Sequence, residues 1–215
     1  MFLSKSLLRF AGAAVFALCT SVAGAATFSN TANGDDIFPF GAPDTTTYGQ
    51  TFNLSQASVV QDWSFFTASG TSGNLRLVIA EWDGLKAVGS ELYTSAISYA
   101  GGAQTLAFGG INLNLDAGSY VSYITVAGVT GAASDVFTKG SQDDGGLGGA
   151  FRYLNSSGVD PLTLSSNWNS YYVPSMQFTA NIAAPVPEPE IYAMMGLGLG
   201  LLGWAGRRRR ARQIA

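Results

Sequence analysis

Several stretches of the chain alternate apolar and polar residues with a period of two, as a strand does when one face is buried and the other is solvated. The alternation covers residues 111–116 and again residues 176–182. The residues on the apolar face of these two segments are Ile111, Leu113, Leu115, Met176, Phe178, Ala180 and Ile182. Both segments therefore predict amphipathic β-strands.

Other segments carry apolar residues on both faces, which indicates central strands that are covered on both sides. In residues 58–66 the alternation places Val59, Trp63 and Phe65 on one face, opposite Val60 and Phe66. Residues 74–82 and 120–126 have the same character, and glycine-rich turns separate the runs. The sequence therefore predicts an all-β fold, an antiparallel β-sandwich of jelly-roll or immunoglobulin-like kind.

Residues 1–26 have the organisation of a secretory signal peptide. Lys5 and Arg9 supply the positive start, residues 10–18 are apolar, and small residues follow at 23–26. The expected cleavage site lies before Ala26 or Thr27. We therefore expect export through the Sec translocon, with residues 27–184 forming the exported β-sandwich domain.

A second apolar run, residues 191–206, contains no charged residue and would extend roughly 24 Å as a helix at about 1.5 Å per residue. This is slightly short for a bilayer core of about 30 Å, but flanking arginines snorkel and the bilayer thins locally. A buried core helix with a solvated basic end is the alternative interpretation. The span predicts a single-pass inner-membrane protein with its N-terminus outside, because a cytoplasmic basic cluster follows: Arg207, Arg208, Arg209, Arg210 and Arg212.

The order of parts at the C-terminus, residues 185–212, resembles the PEP-CTERM sorting signal of bacterial surface proteins. The matching parts are the motif Pro187, Glu188 and Pro189, the apolar span and the arginine cluster. The resemblance implies recognition by a membrane-embedded exosortase, cleavage near the motif, and transfer to the cell surface or to an extracellular matrix with exopolysaccharide. Ile191 stands where Ser or Thr is common in the family, so the cleaved bond is not assigned.

Composition narrows the chemistry of the exported part. The chain has no histidine, and its single cysteine, Cys19, lies in the predicted signal peptide. Between residues 27 and 186, four basic residues stand against twelve acidic ones, a net charge of −8. Because this charge repels phosphate backbones, we expect no nucleic-acid partner. We expect no enzyme either; the alternative is a polysaccharide-acting enzyme with paired carboxylates among Asp35, Asp36, Asp143, Asp144 and Asp160.

Two stretches offer candidate binding residues. Residues 139–150 form a glycine-rich loop with Asp143 and Asp144, interpreted either as a surface loop or as a calcium site with oxygen ligands. The other stretch contains Trp168, Tyr171 and Tyr172, whose rings would contact a glycan or else pack in the core. No resident cofactor is expected apart from this calcium alternative.

These observations predict an exported surface or matrix protein of structural or adhesive type. A carbohydrate-binding module for an exopolysaccharide is the alternative. A pair of glycines at 196 and 200 in the span would also allow two spans to pack closely.

Overall fold

The computed structural model describes residues 24–43, 45–184 and 195–202 of the chain. Almost all of the regular structure is β-strand. The strands are β1 (Ala25–Ser29), β2 (Ile37–Phe40), β3 (Thr47–Leu54), β4 (Ser58–Thr71), β5 (Gly73–Trp82), β6 (Ala87–Tyr99), β7 (Thr105–Phe108), β8 (Leu113–Leu115), β9 (Gly118–Thr125), β10 (Ser134–Thr138), β11 (Gly140–Ser141), β12 (Phe151–Leu154), β13 (Ser175–Met176) and β14 (Phe178–Ala183). A short 3-10 helix spans Pro161–Thr163, and the described residues 195–202 are α-helical.

The strands form two principal antiparallel sheets. Sheet 1 is organised around β4, which pairs with β14 and β10 and also with β7 and β8. In sheet 1, β1 pairs with β14 and forms one edge, and β2 pairs with β10 and forms the other edge. Sheet 2 has the order β12-β3-β9-β5-β6, and a two-stranded pair joins β11 to β13.

One aromatic-rich core fills the space between the two sheets, and this confirms the predicted all-β sandwich. Trp63 of sheet 1 is fully buried and lies 4.9 Å, between ring centroids, from Phe52 of sheet 2. The same indole stacks on Phe178 at 5.2 Å and 13°. Aromatic pairs in these geometries stabilise a core beyond the area that they bury, by about 0.5–1.5 kcal/mol each.

The other face of sheet 2 is also covered. Residues 155–172, here called the covering segment, pack Leu162, Leu164 and Trp168 against that face. The strand β5 is therefore buried on both sides, with Leu77 in the main core and Val78 beneath the covering segment. The sequence predicted this two-sided burial, because apolar residues occur at both odd and even positions of residues 74–82.

The prediction of which side chains share a face of β4 was wrong for two residues, Val59 and Val60. Val60, not Val59, shares the core face with Trp63, and Val60 is fully buried. The register of β14 against β4 shifts between the pairs Asn181–Asp62 and Ile182–Val60. This β-bulge inserts one extra residue into β4, so the side chains before it change face.

The two ends of the domain meet. Ala25 pairs with Ala183 at the start of the β1–β14 ladder. Just beyond β1, the side-chain amide of Asn30 donates to the carbonyl oxygens of Met176 at 2.8 Å and Asp143 at 3.0 Å, and its oxygen accepts from the Phe178 N–H at 2.8 Å. Asn30 is buried, so these bonds fasten the first strand to the last part of the domain.

Candidate functional site

A group of exposed and half-buried aromatic rings lies where the two sheets separate at one flank. We call Phe38, Tyr153, Tyr171 and Tyr172 the aromatic surface. Phe38 comes from β2, at the edge of sheet 1, and Tyr153 comes from β12, at the edge of sheet 2. A cleft of about 120 Å³ lies between them and reaches down to buried residues such as Tyr48 and Phe151.

Stacking holds the rings of this surface in place. Phe38 stacks on Phe137 at a centroid distance of 5.0 Å and an angle of 14°. Tyr171 contacts Tyr172 at 4.5 Å and meets Tyr153 edge-on at 6.2 Å. Phe38 is 51% exposed and Tyr172 is 65% exposed, so their rings present apolar area to solvent. Sugar rings offer C–H faces of suitable shape for such platforms.

Acidic groups lie beside the aromatic surface. Desolvation raises the pKa of Tyr172, and hydrogen bonding with Tyr171 and the nearby Asp35 carboxylate act in the same direction. Asp36 forms an ion pair with Lys139 at 2.9 Å. The surface therefore combines aromatic faces with hydrogen-bonding carboxylate and phenol oxygens, the combination expected where hydroxyl groups are bound.

Trp168, one of the three predicted ring contacts, lies in the interior instead. It is 6% exposed and packs edge-on against Trp82 at 5.6 Å and Tyr123 at 5.3 Å. Because its ring is enclosed between the rest of the covering segment and sheet 2, Trp168 offers no face to a surface ligand. Trp168 therefore follows the core alternative, and of the three predicted rings the aromatic surface contains Tyr171 and Tyr172. The sequence did not indicate Phe38, which lies more than a hundred residues before Tyr153 and Tyr171 in the chain.

Asp143 and Asp144 shape a turn. The Asp143 carboxylate accepts from the Gly145 N–H at 3.1 Å, and the Asp144 carboxylate accepts from the Gly146 N–H at 2.8 Å. Gly145 has φ +64°, a conformation that glycine adopts without strain. Across the described ranges no group of three or more His, Cys, Asp or Glu side chains converges as metal ligands. A calcium ion here would need carbonyl and water oxygens as its remaining ligands.

Two of the other acidic residues considered for catalysis, Asp36 and Asp160, have partners outside that turn. Asp160 accepts from the Leu162 N–H at 3.0 Å and caps the 3-10 helix. Asp36 is neutralised by Lys139, at the flank of the aromatic surface. Each of these carboxylates thus has a local structural partner.

The predicted sorting elements lie mostly outside the described residues. These include residues 1–23 of the predicted signal peptide, the motif Pro187–Pro189, the ends of the predicted span and the arginine cluster. The helix at 195–202 covers the middle of the span, and its exposed side chains include Met195, Leu197, Leu199, Leu201 and Leu202. Among the described residues, no helix has both the length and the apolar character needed to cross a membrane.

Comparison with known proteins identifies the C-terminal segment. Residues 185–210 match the PEP-CTERM protein-sorting motif, which confirms the resemblance seen in the sequence. The chain therefore carries the signal of an exported surface protein that is targeted to an exosortase. No curated protein and no solved structure matches the chain.

Proposed function

We propose that this chain is a non-enzymatic structural or adhesive protein of the bacterial surface or matrix. In this proposal the Sec translocon exports it, residues 191–206 hold it in the inner membrane with its N-terminus outside, and an exosortase releases it to the surface. The observation that carries the proposal is the sorting motif at 185–210, which begins directly after the last strand, β14. An acidic, double-layered β-domain without histidine or disulfide suits such a role.

The geometry of the chain supports processing close to the domain. β14 ends at Ala183, and the Pro-Glu-Pro motif begins four residues later. Four extended residues reach at most about 14 Å. An enzyme in the membrane that cuts near the motif therefore works close to the end of the domain where Ala25 pairs with Ala183. The released domain then carries almost no additional residues after β14.

The proposal is tested by replacing Pro187 and Pro189 with alanine in a chain that carries one epitope before the sorting signal and another after Arg212. We expect the variant to keep both epitopes and to remain in the membrane fraction, whereas the unaltered chain loses the second epitope. Pro185→Ala is the matched control, since it removes a proline just before the Pro-Glu-Pro tripeptide at 187–189. Equal processing of the unaltered chain in cells with and without an exosortase would contradict the proposal.

A second candidate function, binding of a glycan from the exopolysaccharide, is supported by the aromatic surface. Its exposed rings lie beside Asp35, and such rings are enriched in binding sites because they bury a large area at low entropic cost. We expect Phe38→Ala and Tyr172→Ala each to weaken retention on a gel of the host's exopolysaccharide. Leu85→Ala is the matched control, because Leu85 is 58% exposed and lies in the turn between β5 and β6. Retention unchanged in both ring variants would exclude this surface.

A further inference from the structure

The edge of sheet 2 formed by β6 is an unpaired strand edge. β6 pairs with β5 on one side and is the last strand in the sheet order. Its segment Tyr93–Tyr99 pairs in continuous register with Gly73–Ile79, before the register shifts between Ile79 and Glu81. In a ladder, alternate residues direct their N–H and C=O groups to opposite sides. Within the described ranges, no hydrogen bond outside the ladders uses the backbone of residues 93–99.

This edge lacks the features that usually protect an exposed strand. Residues 93–99 read Tyr-Thr-Ser-Ala-Ile-Ser-Tyr, without a proline or a charged residue. The other edge strands of the two principal sheets, within the described part of the chain, are β1, β2, β7, β8 and β12, and each has only three to five residues. Short strands, prolines and charges at an edge prevent pairing with another chain. The β6 edge is therefore the one best suited to accept a further strand.

The segment is also complementary to itself. When two copies pair antiparallel around Ala96, Ala96 lies opposite Ala96 and Thr94 lies opposite Ser98 on the outer face. On the inner face Tyr93 lies opposite Tyr99, and Ser95 opposite Ile97. Aromatic pairs and hydroxyl pairs directly across strands stabilise a sheet. An antiparallel pair of identical strands also has the two-fold symmetry of most homodimers.

Charge favours a second copy at this edge over other faces of the domain. The exported part carries a net charge of −8, so copies repel each other over most of their surface. In β6 the charged residue is Glu91, which forms an ion pair with Arg76 of β5. The edge segment itself is neutral, so two copies approach there without bringing like charges together.

We propose that β6 is a self-association edge, at which two copies of the chain pair their Tyr93–Tyr99 segments antiparallel about Ala96. The pairing joins two five-stranded sheets into one continuous sheet of ten strands. This inference rests on the structural role proposed above, because export brings copies together on one surface. It concerns the folded domain, however, and not the sorting signal.

Cysteine crosslinking in the exported full-length chain tests the pairing. The sequence places its single cysteine, Cys19, in the predicted signal peptide, so an introduced thiol reports on one position. In Ala96→Cys the two thiols lie on residues directly opposite, with Cα atoms about 4.5–5.5 Å apart, within the range of a disulfide. We expect a reducible dimer on a non-reducing gel.

Two matched controls define the register and the edge. In Thr94→Cys the two copies of the residue are separated by four positions along the strands, about 13 Å, which is too far for a disulfide. Ser29→Cys places an exposed cysteine on β1, an edge strand of sheet 1. We expect at least about ten times more dimer from Ala96→Cys than from either control, because only that pair meets the disulfide geometry. Equal yields, or a crosslink from residue 96 to a different protein, would overturn the proposal.

A second measurement does not need a disulfide. Ala96→Lys places two like charges opposite each other at an exposed position, and it should weaken the dimer by up to about fivefold in sedimentation equilibrium of the detergent-solubilised chain. Ser29→Lys is the control for added charge. Circular dichroism checks that both variants are folded. If Ala96→Lys leaves dimerisation unchanged, the copies do not associate through β6. Because neither assay requires exosortase, failure of the pairing is distinguishable from failure of the sorting proposal.

Discussion

Replacing Trp168 by alanine should destabilise the domain strongly, whereas replacing the exposed Tyr172 should not. The two residues are close in the sequence and are both aromatic, but one is 6% exposed and the other is 65% exposed. If Trp168 is a structural residue of the covering segment, removing its ring lowers the free energy of unfolding. If Trp168 were instead a platform for a ligand, removing its ring would lower the affinity for that ligand.

The magnitude follows from what the Trp168 ring buries. A buried tryptophan removes about 150–250 Å² from water, which at about 25 cal/mol per Å² contributes roughly 4–6 kcal/mol. The indole Nε1 is buried without a hydrogen-bond partner within the described residues, and relieving this desolvation returns about 1 kcal/mol. We therefore expect Trp168→Ala to lower the free energy of unfolding by about 3–5 kcal/mol.

Urea unfolding followed by far-UV circular dichroism measures this difference without using tryptophan emission. A loss of about 4 kcal/mol moves the midpoint by about 2 M when the slope is about 2 kcal/mol per M. Tyr172→Ala is the control, with an expected change of about 1 kcal/mol or less, because most of its ring is already in water. A Trp168→Ala variant that unfolds within about 1 kcal/mol of the unaltered domain would refute the assignment of Trp168 to the core.

Three further outcomes follow from the structure. Asn30→Ala should lower the free energy of unfolding by about 2–4 kcal/mol in the same urea assay, since it removes three hydrogen bonds, of which two are buried and one is partly buried. Asn169→Ala, at an exposed site, should change it by less than about 0.5 kcal/mol. Burial raises the pKa of the Tyr123 phenol, so the unfolded chain ionises first and the unaltered domain should lose stability as pH rises above the ordinary tyrosine pKa of about 10. Tyr123→Phe should reduce that loss, the remainder coming from Tyr99 and Tyr120, whose pKa burial also raises. Because the Tyr123 hydroxyl lacks a partner among the described residues, the variant should also add about 1 kcal/mol at neutral pH. A chelator should leave the melting temperature unchanged, since Asp143 and Asp144 already accept hydrogen bonds from glycine N–H groups; a drop in melting temperature would instead indicate a bound calcium ion.

Local periodicity was sufficient to predict the class of fold. The apolar residues at both parities of β5 indicated a strand covered on two sides, and alternation located β14 to within two residues of its bounds. The parity of Val59 and Val60 was not predictable, because the bulge that reverses it depends on the pairing with β14. Bulges are set by the partner strand, and no local pattern reports them.

The candidate site was less accessible to sequence reasoning. Tyr171 and Tyr172 were indicated by their clustering, but Phe38 joins them only because β2 and β12 end up at the same flank of the sandwich. Trp168 has the same local composition as its exposed neighbours, and only the packing of the covering segment on sheet 2 separates it from them. The β1 strand was hidden as well, since Ala25 and Ala26 also fit the end of a signal peptide.

The pairing of β14 between β1 and β4 determines how the domain carries mechanical load. A chain held by the residues after Ala184 is pulled along the axis of β14, so tension shears two ladders at once and does not open them one bond at a time. Resistance to such pulling is governed by the rate of unfolding and not by the equilibrium stability. In the proposed membrane-held form, the attachment point therefore directly follows a strand that is paired on both sides.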